Sequence, residues 1–378
     1  MIIKNAKVFT EEGRFIEQDI YIKDGRFVKS EVQAGADEVI DAQGCFAVPG
    51  LTDIHFHGCV GYDFCDGTEE AITKIAEYQA SIGVTSIVPA TMTLGEEILT
   101  GICKTAAEYR KNNKNDRAAD LCGINMEGPF LAESKKGAQN SAYLHTPDAG
   151  MYDRLNEAAD HMVKLVAIAP EIEGAMEFIQ SKKGQVVLST AHTAADYDTA
   201  LEAFEKGATH VTHLYNAMNP YTHRAPGLIG AATDAGAEVE LICDGVHVHP
   251  AVVRNTFKMF GEDKVILISD SMMATGLDDG DYSLGGQAVK VVGNLATLAD
   301  GTIAGSATNL MDCVRTAVLK MRIPLETAIK CAAANSAKSV GIYDEYGSIT
   351  PGKVANVVLL KKEDLTLDSV ILRGNKLS

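Results

Sequence analysis

Basic residues are scarce in this chain: 34 Lys and Arg stand against 51 Asp and Glu, a formal net charge of −17 at pH 7. That deficit argues against unaided binding to nucleic acid or to an anionic membrane, and an anionic small substrate would need a local basic pocket. Paired thiol motifs are missing as well. The eight cysteines, at 45, 59, 65, 103, 122, 243, 313 and 331, form no Cys-x-x-Cys, and several sit in apolar runs. With no secretory pattern, they are expected to be reduced thiols of a cytoplasmic protein. No stretch is long and apolar enough to span a bilayer. No Gly-x-Gly-x-x-Gly follows the first central strand candidate, which weakens the case for an open dinucleotide-binding sheet. Internal repeats and low-complexity stretches are absent too.

What is present is ordinary globular material: 378 residues, 46% hydrophobic and 22% charged. That is room for one large domain with an addition, or for two. Residues 2–10, 19–23 and 26–30 alternate apolar with polar, and Asp24-Gly25 reads as a hairpin turn. Residues 347–360 and 369–376 read the same way. Neither end has enough apolar surface to stand alone, so one small sheet domain built from both termini is expected. The middle alternates: strand candidates at 51–55, 84–90, 121–126, 163–169, 186–191, 208–212, 238–243 and 265–269, with helical periodicity at 69–82, 96–111, 148–159, 174–182, 196–206 and 250–260. A short helix at 228–235, a hairpin over 282–303 and helices at 307–321 and 324–340 complete the pattern. Eight strands with helical crossovers point to an α/β fold, a (β/α)8 barrel over 51–343, with the small domain at 1–50 and 344–378.

In such barrels the chemistry lies at the C-terminal strand ends. Here those ends carry His55 and His57, Glu127, His192, His213, the segment from Asp244 to His249, and Asp270. Strand alternation over 51–55 would put His55 and His57 on one side. A lone His-x-His is more often two ordinary histidines, and His192 or His213 alone is more often a satisfied core residue; a ring of such residues favours metal ligation. Asp270, between Leu-Ile-Ser and Ser-Met-Met, needs a partner if buried. His210, inside strand six, is expected to face away from His213 and to be structural. A set of imidazoles and carboxylates without thiolate suits an open site that hydrolyses with metal-activated water, with Asp270 moving the proton. Arg224, in the Pro/Gly-rich loop after His213, is a candidate phosphate clamp with His247; the bland alternative is a solvated loop arginine.

The motifs Pro-Gly-Leu-Thr-Asp-Ile-His-Phe-His-Gly (49–58), Glu-Gly-Pro-Phe (127–130), Lys-Lys-Gly-Ala-Gln (135–139), Ala-His-Thr (191–193), Thr-His-Leu-Tyr-Asn-Ala-Met (212–218), Ile-Cys-Asp-Gly-Val-His (242–247) and Ile-Ser-Asp-Ser-Met (268–272) together resemble the amidohydrolase superfamily over essentially the whole chain. The resemblance implies a metal-dependent TIM-like barrel capped by a β-sandwich from both termini. It implies removal of the acetyl group of N-acetyl-D-glucosamine 6-phosphate, giving D-glucosamine 6-phosphate and acetate, in amino-sugar catabolism. Carried over by motif, Glu127, His192 and His213 bind the main divalent metal, with zinc first and iron, manganese, cobalt or nickel as alternatives. Asp270 is the acid/base, and Asn216, Ala217 and Arg224 hold the sugar phosphate. His247 reaches the phosphate from the neighbouring subunit, which implies a homodimer with a shared site. Some members lack the His-x-His and work with one metal; His55, His57 and Asp270 allow a second ion here. Some members carry a histidine where this chain has Gln139, so Gln139 becomes the candidate donor to the acetyl carbonyl. A cyclic amidase or a deaminase of the same superfamily is the rival. Strand four ends in Ala169-Pro170-Glu171, without the lysine of the first, and His192-Thr-Ala-Ala195 lacks the His-x-x-Glu of the second. A catalytically dead scaffold would have lost candidate ligands, and none is missing.

Overall fold

The computed structural model describes residues 1–35 and 38–377. Its centre is built from strands that read Val, Ile and Leu on both faces, as strands covered on both sides must: β1 (Leu51–Asp53), β2 (Val84–Ile87), β3 (Ile124–Met126), β4 (Val163–Ile168), β5 (Val187–Thr190), β6 (His210–Val211), β7 (Glu238–Ile242) and β8 (Val265–Ile268). All pairings among them are parallel. β1 and β2 lie in one sheet, completed by Asp120–Leu121, and β3 to β8 follow in order in a second. The sheets approach each other at both margins. Ala90 bridges Asn125 beyond β2; beyond β1 and β8, Asp270 N donates to His55 O at 2.9 Å and His57 N to Ser271 O at 2.7 Å. Helices cross over between strands. Glu69–Ser81 is typical: Thr68 caps it by accepting from Ala71 N, Glu69 and Glu70 favour its N-terminal dipole, and Ile72, Ile75, Ala76, Gln79 and Ala80 form the buried face. Burial of Ile72 and Ile75 stabilises the docking by about 2 kcal/mol each.

The termini form two further sheets, one of which takes strands from both ends. Val357–Lys361 pairs antiparallel with Cys45–Pro49, which pairs with Lys7–Phe9; Ile2–Lys4 lies in the other sheet, beside Ile20–Lys23 and Val39–Asp41. Ile3, Val8, Ile22, Phe27, Ala47 and Leu359 share one buried cluster.

Four expectations need correction. Residues 2–10 are two strands in different sheets, because Asn5 takes φ 64° and bonds Asp41 Oδ1 at 2.9 Å, a conformation asparagine tolerates. The third central strand breaks after Leu121, so that Asp120–Leu121 serves β2 while β3 serves β4. The helix expected over 324–340 is two, Leu325–Ala332 and Ala334–Ser339, broken at Ala333 where the Asn335 amide turns to donate to Glu262 O and Val265 O. The hairpin after β8 has a third strand: Gly280–Leu284, Gln287–Val292 and Leu295–Thr297 run antiparallel in sequence. No helix among the described residues is long and apolar enough to cross a membrane.

Candidate metal centre and active site

The C-terminal ends of the parallel strands converge on a cavity of about 340 Å³ lined by His57, Glu127, Gln139, His192, His213, Asn216, Ala217, His247 and Asp270. β1 stops at Asp53, so His55 and His57 sit in the extension beyond it, held by the backbone bonds to Asp270 and Ser271 rather than by strand alternation. His192, His213, Asp270 and Ala217 have φ of 44°, 30°, 50° and 52°. Left-handed backbone at non-glycine residues carries strain, and its repeated use past β5, β6 and β8 marks a site where side chains must be aimed inward.

Glu127 is the hub. Its Oε1 lies 3.1 Å from His192 Nε2, 3.1 Å from His213 Nε2 and 3.4 Å from His55 Nε2; its Oε2 lies 3.3 Å from His57 Nε2. Asp270 Oδ1 is 3.4 Å from His57 Nε2 and 3.7 Å from His55 Nε2. Two groups bring their ligand atoms within 4.8 Å of one another: His55, His57 and Glu127, and Glu127, His192 and His213. The hydrogen bonds behind these atoms decide what they can do. His192 Nδ1 donates to Lys135 O at 2.8 Å and His55 Nδ1 to Glu240 Oε2 at 2.8 Å, so in the neutral imidazole each Nε2 carries the lone pair. His55 Nε2 then has no hydrogen-bond partner, and the Nε2 atoms of His192 and His213 lie 3.1 Å apart. Lone pairs and carboxylate oxygens crowded this way repel unless a cation lies among them, so the donor set fits a divalent ion at either group.

The electrostatics agree. Burial opposes the charged form of His57, but its bonds to Asp270 and Glu127 outweigh that and lift its pKa to about 10. Burial likewise disfavours charge on Glu127, yet the surrounding imidazoles hold its carboxyl well below the ordinary range. Without an ion, protons supply the positive charge the carboxylates demand.

The remaining expected residues fall less evenly. Gln139 Nε2 donates to Glu127 Oε2 at 2.8 Å and its Oε1 accepts from Thr93 N at 2.7 Å, so its amide is engaged in orienting Glu127. Asn216 lines the cavity half-buried, its amide donating to His213 O at 3.1 Å. The resemblance has His247 reach the phosphate from a neighbouring subunit; here it lines the cavity of its own chain, its Nδ1 bonded to Asp244 Oδ2 at 2.7 Å, because Asp244 just past β7 also accepts from the 246 and 247 amides and folds the loop inward. Arg224 is exposed in the loop before helix Gly227–Ala235 and does not line the cavity. β6 covers only His210 and Val211, so alternation does not extend to His213. Sequence reasoning passed over Glu240. Its signal was a carboxylate inside the apolar run Val239-Glu240-Leu241-Ile242, where burial requires a partner.

Parallel strands that aim imidazoles and carboxylates from their C-terminal ends into one cavity define an α/β protein with a candidate divalent-metal centre. The amidohydrolase family model matches residues 46–377, and the chain belongs to that family. Among its relatives is the N-acetylglucosamine-6-phosphate deacetylase of Bacillus subtilis (strain 168), 34% identical over 389 residues, covering 99% of this chain and 96% of the relative. Another, the N-acetylgalactosamine-6-phosphate deacetylase of Escherichia coli O157:H7, is 32% identical, covering 95% of this chain and 94% of the relative. A solved Mycobacterium smegmatis N-acetyl-D-glucosamine-6-phosphate deacetylase variant, in complex with N-acetyl-D-glucosamine-6-phosphate, superposes with a TM-score of 0.91 at 32% identity, covering 100% of this chain and 98% of that one.

Proposed function

We infer that this chain is an N-acetylglucosamine-6-phosphate deacetylase, a hydrolase that cleaves the acetamide of N-acetyl-D-glucosamine 6-phosphate to D-glucosamine 6-phosphate and acetate. The observation that carries the reading is the convergence of His192 Nε2 and His213 Nε2 on Glu127 Oε1, each at 3.1 Å, with Asp270 beside them in the cavity. Full-length relatives of that activity support it. A divalent ion held by Glu127, His192 and His213 would supply Lewis acidity and lower the pKa of water towards neutrality. Asp270 takes the proton of the attacking water and returns it to the leaving nitrogen, so that the amine departs neutral. Its carboxyl stays ionised: burial works against that, but the bond to His57 and the neighbouring imidazoles hold its pKa below the ordinary value, which suits a base. Gln139 keeps Glu127 in place. His55, His57 and Glu127, with Asp270 beside them, would hold a second ion, and zinc heads the candidates for both.

For the substrate's phosphate we propose Asn216, Ala217, His247 and Arg224. Arg224 is exposed and off its own cavity, so in the homodimer we propose it is the residue that acts across the shared site. We further propose that the two central sheets are arcs of one (β/α)8 barrel over 51–343, that 1–50 and 344–378 form a β-sandwich, and that the enzyme works in the cytoplasm. Incubating the reconstituted protein with N-acetylglucosamine 6-phosphate and detecting the free amine tests the activity; no amine formed by the metal-loaded protein would overturn it.

A further inference from the structure

Beneath the cavity lies a buried polar layer that no ligand assignment uses. Glu240, in the middle of β7, is completely buried. One oxygen, Oε2, accepts from His55 Nδ1 at 2.8 Å and from His213 N at 3.0 Å. The other, Oε1, has no hydrogen bond and lies 3.8 Å from His210 Nε2, also unpartnered. His210 Nδ1 bonds Ser189 Oγ at 2.8 Å, which bonds Thr212 Oγ1 at 2.6 Å. A carboxylate at the core of a parallel sheet is costly, and here its bonds to His55 and His213 offset that cost through one oxygen only.

We propose that Glu240 is a positioning residue for the metal centre: it locks His55 in the tautomer that presents Nε2 to the ion and fixes the backbone turn that aims His213. The argument is geometric. A carboxylate only accepts, so the imidazole nitrogen facing it must carry the hydrogen, and the opposite nitrogen is left as a donor to metal. The same oxygen holds the His213 amide at the residue whose φ is 30°, so one side chain pins a ligand from β1's extension and a ligand from the end of β6. His210 Nε2 faces the second carboxylate oxygen at 3.8 Å. This rests on the reading of His55 as a ligand, and the experiment separates the two.

Glu240→Met, Glu240→Gln and His55→Ala are each stripped of metal and titrated with zinc against a chromogenic chelator, alongside the parent. Glu240→Met, which cannot accept, should weaken the ion at the His55 group by roughly 10–100-fold while the metal-free melting curve stays cooperative. Glu240→Gln, which can still accept from Nδ1–H, should recover most of that loss. A role confined to stability would lower both melting temperatures and leave zinc affinity unchanged. If His55→Ala loses an ion and Glu240→Met binds it as the parent does, Glu240 is not a positioning residue. If His55→Ala binds zinc as the parent does, His55 is not a ligand and the underlying reading falls. Should Glu240→Met fail to fold, the imidazole ¹⁵N spectrum of the loaded parent decides: a proton on His55 Nδ1 supports the proposal, and a proton on Nε2 overturns it.

Discussion

Replacing Gly50 by alanine probes how the terminal strands are welded to the catalytic half. Gly50 joins Cys45–Pro49 to β1, and a Cβ there would sit 2.0 Å from Thr85 Oγ1, 2.7 Å from its Cγ2 and 2.9 Å from its Cβ. Ordinary contact begins near 3.4 Å, so β1 and β2 would have to part by about 1.4 Å. The backbone cannot yield freely, because Gly50 N donates to Asn356 O and Leu51 N to Gly83 O, both at 3.0 Å. Thr85 is buried and has little room to turn away. We expect Gly50→Ala to cost about 3 kcal/mol, the upper end for overpacking, measured by urea denaturation of the metal-free protein. Thr85→Ala removes the two nearest clashing atoms. In a double-mutant cycle the pair should therefore show a favourable coupling of at least about 1 kcal/mol. Gly50→Ala within about 0.5 kcal/mol of the parent, or a strictly additive cycle, would refute the steric argument.

Asp270→Asn should keep its fold and at least one bound zinc while turnover drops by roughly 10²–10⁴-fold; near-parental kcat would remove Asp270 from the chemistry. Arg224→Ala should weaken productive binding of the phosphorylated sugar by about 2–3 kcal/mol and barely affect unphosphorylated N-acetylglucosamine, read as kcat/KM on both. Mixed Arg224→Ala and His247→Ala subunits should regain activity that neither has alone; no recovery would count against a shared site. Burial lifts the Asp63 carboxyl to about 6 from 3.8. The folded state therefore holds a proton that the unfolded chain releases, so this group's contribution to stability should fall as pH rises from about 4 to about 6 and then level. Asp63→Asn, which can still cap the turn at Cys65, should remove that slope, worth about 3 kcal/mol.

The site's composition was legible because parallel strands deliver chemistry to one end: Glu127, His192, His213 and Asp270 each stand just past an apolar run, and that position marks them without any contact being known. Local signals also located most helices, as at Glu69–Ser81, where cap, acidic first turn and apolar period agree. The rest depends on partners distant in sequence. Nothing near Glu240 announces that it faces His55, 185 residues away. Gln139 resembles a free donor until Thr93 and Glu127 occupy both ends of its amide. Asn5 breaks an otherwise regular alternation only because Asp41 comes beside it.

Glu127, His192 and His213 are expected to make this chain's deacetylation depend on a bound metal. That dependence is tested most directly by stripping the protein with a chelator, adding zinc in measured equivalents and following acetate release from N-acetylglucosamine 6-phosphate. We expect no release from the stripped protein and a rise that tracks bound zinc to a plateau, with no recovery in a His192→Ala/His213→Ala variant carried through the same titration. Full activity in protein verified to hold no metal, or parental recovery in that double variant, would contradict the account.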